Sequence, residues 1–256
     1  MIEDKNKIVK LLLTQLKIII SEFDNIKPEL INYLLTSNIV EFSDNNTISF
    51  FVKDGVLYLP KEIYSVLPKL KDHELYGVSP HDCRRIDEYL DTDTTYYDYI
   101  EHVIKAGLTP YQFFEESLLH EAMHLCGSGG GNPLDEGINE LKTREIAQKH
   151  KIRIAAYGYP KEVEIAKELQ EILGKNIMDQ LAFMKPFDRY DFLIQNVGIE
   201  KANLYKKIFK DMVILSNNYY NKMKTISDPY EKAAEYKKIN YTTIFDYIDD
   251  YVEKTK

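Results

Sequence analysis

The sequence contains few of the features that mark secreted, membrane-bound and nucleic-acid-binding proteins. Cysteine occurs only at Cys83 and Cys126, so a chain of 256 residues has no disulfide framework, which predicts a reducing, cytoplasmic compartment. Acidic residues outnumber basic ones by 41 to 33, the formal net charge is -8, and no long basic run is present. A surface that would bind phosphate backbones is therefore not predicted, and we expect no nucleic-acid partner.

Long apolar runs are also missing. The clusters Leu11–Leu13 and Ile18–Ile20 lie near the N-terminus, but Asp4, Lys10 and Lys17 interrupt the stretch. A secretory signal needs an unbroken apolar centre and a small-residue cleavage site. A membrane span needs about 18 uncharged apolar residues in a row. We therefore expect neither a leader peptide nor a membrane anchor.

The chain is long and apolar enough to bury a hydrophobic core without disulfides. It has 256 residues, of which 44% are apolar. No internal repeat or low-complexity linker divides it. Its hydrophobic patterns predict an α+β fold that is mostly helical. We expect an N-terminal α/β lobe over residues 1–126 and a helical lobe over residues 127–256, joined in one compact unit.

Helices and one hairpin are predicted for the N-terminal lobe. Apolar residues between positions 5 and 37 recur at a spacing of about 3.6 residues, which is typical of helices packed against a core. Farther along, Ile48–Val52 and Val56–Leu59 are rich in β-branched and aromatic residues and flank the dipeptide Asp54-Gly55. Because this dipeptide is one of the strongest short hairpin signals, we expect a β-hairpin there.

Capping signals predict a pair of central helices. Thr109-Pro110 places a capping residue before a proline at the first helical position, and the helix is expected to reach Gly127. Asn132-Pro133 opens a second helix in the same way. Residues 160–256 are expected to form further helices. Their breaks are predicted at Gly174, Pro186, Gly198 and Asp228-Pro229.

The segment His120-Glu121-Ala122-Met123-His124 matches the HExxH pattern, and helical geometry explains its spacing. Residues four apart share one face of a helix, so both imidazoles can reach one Zn²⁺. Glu121 projects from the adjacent position towards water held by the metal. The motif therefore predicts a zinc site with His120 and His124 as ligands and Glu121 as the general base.

Two other interpretations of the histidine pair stay open. The histidines could lie incidentally on a surface helix, or they could belong to another kind of helical metal bundle. Leu118, Leu119, Met123 and Leu125 surround the motif with apolar side chains. This composition favours a buried helix over solvated histidines.

A catalytic zinc site of this kind needs a third protein ligand and an open position for water. Asp135-Glu136-Gly137 lies on the next predicted helix, after a glycine-rich loop that can reverse the chain. Here the sequence resembles the gluzincins, in which a glutamate on the helix after HExxH completes the site. The segment is similar to the Asn-Glu-Gly of aminopeptidase-like members and to the Asn-Glu of thermolysin. Its short distance from His124 indicates a compact, minigluzincin-like member.

The resemblance covers about residues 109–150 and implies a zincin-like fold. It assigns Glu136 as the third metal ligand and Glu140, one turn later, as the acid that hydrogen-bonds a ligand histidine. Both glutamates share one face of the predicted helix, so the residues alone leave Glu140 open as the ligand.

Members of this family also place a tyrosine, and sometimes a histidine, where it donates to the developing oxyanion. Tyr157 and Tyr159 are the first candidates, and His150 is the next. In a tyrosine-rich chain, core packing is an ordinary role for either tyrosine. His150 lies at a predicted helix end, where its charge complements the helix dipole. Cys126 is turned away from the histidine face and is not expected to be a ligand.

The resemblance implies a zinc-dependent metallopeptidase that acts on a peptide or protein substrate with one Zn²⁺ per chain. Zinc-activated water attacks the scissile carbonyl, while Glu121 takes the proton and passes it to the leaving amine. Two alternatives stay open: a non-catalytic, regulatory zinc-binding protein with a zincin fold, and a helical-bundle metal enzyme that is not a peptidase. A structural zinc site would show four protein ligands, whereas a catalytic one has three.

Overall fold

A computed structural model of the chain describes residues 2–37, 39–43, 51–60, 110–127, 132–152, 154, 159–226, 235 and 238–255. This part of the chain is mostly helical and contains one small three-stranded sheet, which confirms the predicted α+β class at that level. Within it, no helix is both long and apolar enough to cross a lipid bilayer. Tyr157, Thr109, residues 48–50 and the predicted break at Asp228-Pro229 lie outside the described residues.

The chain divides into two compact units. The first consists of Met1–Gly129 and Thr143–Tyr157, and the second consists of Gly130–Lys142 and Gly158–Lys256. The division passes through the middle of a helix, so one continuous element contributes residues to both units.

In the first unit, helices α1 (Ile2–Glu22) and α2 (Pro28–Thr36) confirm the predicted N-terminal helices. The buried residues of α1 are Ile8, Leu12, Leu16 and Ile19, which recur every three or four positions. This spacing places them on one face of the helix. Helix α2 begins at a proline, whose fixed φ suits the first helical position.

The small sheet consists of strands β1 (Val40–Ser43), β2 (Phe51–Lys53) and β3 (Val56–Pro60) in the order β1-β3-β2. Strands β2 and β3 are antiparallel, with Lys53 opposite Val56. Asp54 and Gly55 between them both have left-handed φ values, of 53° and 76°, as a two-residue hairpin turn of the primed type requires. The predicted hairpin is therefore confirmed.

Strand β1 was not predicted. It pairs in parallel with β3, so its partner is distant along the chain and no turn signal joins the two strands. Its four residues, Val-Glu-Phe-Ser, alternate between apolar and polar side chains, but four residues are the shortest run in which such alternation indicates a strand.

Helix α3 (Pro110–Cys126) carries the HExxH motif and packs against α1, α2 and the sheet within the first unit. Its fully buried residues include Leu118, Leu119 and Ala122. The amide of Gln15 on α1 donates a hydrogen bond of 2.7 Å to the backbone carbonyl of Glu115. Apolar packing and this polar contact together fix the helix in the unit.

Helix α4 (Pro133–His150) is the element that contributes to both units. It begins, as predicted, at Asn132, whose side-chain oxygen accepts a hydrogen bond of 3.0 Å from the backbone N–H of Asp135. Residues 133–142 belong to the second unit, where Leu134 and Ile138 enter the hydrophobic core.

The described part of the second unit also contains the helices α5 (Pro160–Leu173), α6 (Lys175–Ala182), α7 (Pro186–Val197), α8 (Ile199–Met223) and α9 (Thr242–Thr255). They confirm the predicted helices and the breaks at Gly174, Pro186 and Gly198. Gly174 and Gly198 have φ values of 94° and 89°, a conformation that ends one helix without the strain a side chain would cause. Helix α8 packs against α5, α7 and α9.

Candidate metal centre

His120 and His124 lie one turn apart on α3, and their rings converge. Their Nε2 atoms are 3.1 Å apart, and the rings meet edge to face with centroids separated by 4.8 Å. His124 is buried, with 8% of its surface exposed, and His120 is half-buried. The structure therefore brings the two predicted histidine ligands together in the way that the HExxH spacing requires.

Glu136 lies in the first turn of α4 and completes the group. One ligand atom from each of His120, His124 and Glu136 lies within 4.8 Å of the other two. Two nitrogens bound tetrahedrally to one zinc ion at the usual distances would be about 3.3 Å apart. The measured separation of the histidine nitrogens is close to that value, and two imidazoles with one carboxylate are a common donor set for zinc. The residues present therefore fit a zinc ion.

Glu121 follows His120 directly and is half-buried, in a helix whose neighbouring residues are mostly buried. The buried neighbours are Leu118, Leu119, Ala122, Met123, Leu125 and Cys126. The predicted apolar surroundings of the motif are therefore confirmed. A carboxylate that is only partly withdrawn from solvent can exchange a proton with water.

The first turn of α4 is held by a network of buried polar side chains. Asp135 accepts a hydrogen bond from the guanidinium of Arg189 on α7, and it also contacts the amide of Asn132. Arg189 in turn donates to the hydroxyl of Tyr205 and to the backbone carbonyl of Met184, each at 3.0 Å. Burial raises the pKa of Asp135, while the contacts with Arg189 act in the opposite direction.

Gly137 follows Glu136 and lies against the backbone of α5. A methyl group in place of its hydrogen would lie 2.5 Å from the carbonyl carbon of Glu162 and 2.9 Å from its Cβ. Both distances are far below van der Waals contact, so only glycine fits this approach without movement of the backbone. Close packing against α5 in the second unit thus explains why the Asp-Glu-Gly segment has a glycine at this position.

Glu140 lies one turn after Glu136 on α4, with 4% of its surface exposed. Among the described residues, the group of converging ligand atoms contains Glu136 and does not contain Glu140. Glu140 instead shares the buried polar face of the helix with Asn139, Lys142 and Thr143. Its proposed hydrogen bond to a ligand histidine remains a prediction.

Tyr159 lies immediately before α5 with a left-handed φ of 51°. Its backbone carbonyl accepts a hydrogen bond of 2.9 Å from the N–H of Val163. Its half-buried side chain packs against the hydrophobic core of the second unit. The structure thus gives Tyr159 a packing role, and its role at the oxyanion remains a prediction, as does that of Tyr157.

Tyr220, near the C-terminal end of α8, was not among the tyrosines predicted from the sequence to act at the site. Burial raises the pKa of its hydroxyl, and the negative charge of Glu136 raises it further. The residue is exposed over 60% of its surface. No motif marks this residue, because it lies far from Glu136 along a chain with 20 tyrosines.

His150 and Cys126 both have contacts or surroundings that explain them without a metal. His150 places its Nε2 atom 2.7 Å from a carboxylate oxygen of Glu22, at the end of α1 in the first unit. Cys126 is 1% exposed, and burial raises the pKa of its thiol to about 12. Among the described residues, the group of converging ligand atoms does not include the thiol of Cys126.

Comparisons with protein-family models, with curated proteins and with solved structures find no match for this chain. The resemblance to the gluzincins therefore depends on the HExxH segment and on the Asp-Glu-Gly segment that follows it. The convergence of His120 and His124 follows from their spacing on one helix, and what the structure adds is Glu136 as the third member of the group.

Proposed function

We propose that the protein is a zinc-dependent metallopeptidase of the gluzincin type, with a zincin-like fold and a peptide or protein substrate. The observation that supports this best is the convergence of ligand atoms from His120, His124 and Glu136 within 4.8 Å. Three protein ligands are the number that catalytic zinc sites use, since the fourth position is needed for water or substrate. A zinc ion bound there would polarise a scissile carbonyl and lower the pKa of water.

The chain's own residues supply the remaining chemistry. His120 and His124 would hold the metal from α3, and Glu136 would hold it from α4. Glu121 accepts a proton from the attacking water and passes it to the departing nitrogen, because the tetrahedral intermediate cannot expel that nitrogen as an anion. Tyr220, Tyr157 and Tyr159 are the phenols to test as donors to the oxyanion.

The decisive experiment is the substitution Glu121→Gln. Because Glu121 is given no bond to the metal, the variant should keep about one Zn²⁺ per chain while peptide cleavage falls by about 10² to 10⁴-fold, the usual contribution of general acid–base assistance. Elemental analysis measures the zinc, and a mixed peptide library followed by mass spectrometry measures cleavage.

The controls separate the proposal from its alternatives. A wild-type protein that binds no zinc would remove the metal site, and zinc-dependent cleavage that is unchanged in Glu121→Gln would assign the base elsewhere. Zinc held without any cleavage of the library, or turnover of a substrate that is not a peptide, would favour the regulatory protein or the other metal enzyme, respectively.

A further inference from the structure

We propose that Arg189 is a positioning residue for the zinc ligand Glu136, and that it acts through its buried ion pair with Asp135. The inference depends on the proposed zinc site and adds a role for a residue on α7 that no sequence motif marks. All the contacts that carry it, apart from those with the metal itself, lie within the second unit.

The ion pair is well suited to act as a fixed anchor. Arg189 is 1% exposed and Asp135 is 7% exposed, so both charges are held away from water. The guanidinium also donates to the hydroxyl of Tyr205 and to the carbonyl of Met184, each at 3.0 Å. Because Arg189 also donates to Tyr205 and Met184, it would lose these hydrogen bonds if it moved with Asp135, so it opposes a shift of the start of α4.

The position of Asp135 along the chain connects this anchor to the metal ligand. Asp135 and Glu136 are neighbours in the first turn of α4, which Asn132 caps. The side-chain oxygen of Asn132 accepts a hydrogen bond of 3.0 Å from the N–H of Asp135, and its carbonyl accepts the first helical hydrogen bond, of 3.1 Å, from the N–H of Glu136. The side-chain contacts of Asp135 therefore set the orientation of the turn from which Glu136 projects.

Gly137 fixes the other side of the ligand. Its Cα lies against the backbone of Glu162, so that α4 and α5 cannot approach more closely or rotate freely at this point. Glu136 is thus held between one neighbour that forms a buried ion pair and another that is locked by close packing. Because the Glu136 carboxylate is already oriented, it can bind the metal together with the histidine nitrogens at a smaller loss of conformational entropy.

A role in stability alone does not account for the pair. Buried ion pairs can often be replaced by apolar residues of similar size without loss of stability, because desolvation offsets the attraction of the charges. A geometric role does require the pair, since the planar guanidinium fixes the direction of the carboxylate in a way that an apolar contact cannot.

The test is a double-mutant cycle on zinc affinity, measured by competition with a chromophoric chelator. Arg189→Met should lower zinc affinity by about 10 to 100-fold in the wild-type background, the range seen when groups that orient metal ligands are lost. In a Glu136→Ala background the same change should have no effect, because the ligand that Arg189 positions is already gone. The absorption spectrum of the Co²⁺-loaded protein gives a second readout, and Arg189→Met should move it towards that of Glu136→Ala.

A matched control and a second variant keep the test decisive. Lys142→Met removes another buried charge on α4, which pairs with Asp179 at 2.6 Å, so it should reduce stability while leaving zinc affinity unchanged. If Arg189→Met alone does not fold, the double variant Asp135→Leu/Arg189→Met replaces both charges by apolar side chains. It should fold and show the same loss of affinity.

The outcomes are distinct. Equal losses of zinc affinity in the two backgrounds, or no loss in either, would overturn the positioning role of Arg189 while leaving the zinc site intact. If Glu136→Ala itself did not weaken zinc binding, the assignment of Glu136 as a ligand would fail, and with it the proposed site.

Discussion

Helices α3 and α4, which carry the candidate metal ligands, bury different kinds of side chain around them. Around its histidines, α3 buries Leu118, Leu119 and Met123, so the motif is fixed by apolar packing. Helix α4 also buries apolar residues such as Leu134 and Ile138, but it adds buried polar and charged residues on both sides of Glu136. They are Asp135, Asn139, Glu140, Lys142 and Thr143. Apolar packing fixes a helix by shape, whereas buried polar groups fix it by direction, since each must meet a specific partner.

On α4, we expect substitution of Glu136 to lower zinc affinity more than substitution of its buried neighbour Glu140. Glu136→Ala should lower zinc affinity by more than about 100-fold, because a direct ligand is lost. Glu140→Ala should lower it by about 10 to 100-fold, if Glu140 only orients a histidine. Competition with a chelator measures both. If Glu140→Ala emptied the site and Glu136→Ala did not, the two roles would have to be exchanged.

The same difference explains how much the sequence could predict. The histidine pair and its helix were predictable because the HExxH spacing, the capping proline and the apolar neighbours all act within about seventeen residues. The hairpin was predictable because Asp54-Gly55 determines its turn locally. Each of these features depends on contacts between residues close together along the chain.

The remaining features depend on residues far apart in sequence, which no local pattern reveals. From the sequence alone Asp135 is expected to be a solvated acid. In the structure it forms an ion pair with Arg189, which lies on a helix later in the chain. Strand β1 has a parallel partner, and the charge of Glu136 acts on Tyr220 only through the fold of the second unit. The burial of the polar residues on α4 could not be predicted either, because a polar helix is expected at the surface.

The two modes of packing can be compared directly through stability. Leu118→Ala on α3 should cost about 2 to 5 kcal/mol, since it removes a fully buried side chain and leaves a cavity. Lys142→Met on α4 should cost about 1 to 3 kcal/mol, because it leaves Gln170 without its hydrogen bond of 2.6 Å. Asp179 retains Lys175 at 3.0 Å, which limits the loss.

Urea unfolding of the zinc-free proteins gives both free energies without a contribution from metal binding. A larger cost for Lys142→Met than for Leu118→Ala would contradict the comparison. It would mean that the polar contacts of α4, and not the apolar packing of α3, dominate the stability of the chain.

The smallest effect on stability is expected at the C-terminal end of α4, where the polar contacts are exposed to solvent. There Lys149 and His150 contact Glu22 at 2.5 and 2.7 Å, within the first unit. Hydrogen bonds from Lys149, and then from His150, hold the pKa of Glu22 below its ordinary value of 4.5. Lys149 is largely exposed, so solvent weakens these contacts and they should contribute less than about 1 kcal/mol.

The direction of the pH dependence follows from the lowered pKa of Glu22. The folded protein binds this proton less tightly than the unfolded chain, so the stabilisation is fully present above about pH 4.5 and disappears as the pH falls through the folded-state pKa. Glu22→Gln should therefore lower the urea midpoint slightly at pH 7, and the difference from wild type should shrink as the solution is acidified below pH 4.5. A difference that stayed constant or grew in acid would show that Glu22 stabilises the fold through packing of its side chain and not through its charge. The contacts at this end of α4 would then stabilise the fold by packing, as the apolar residues of α3 do, and not by charge.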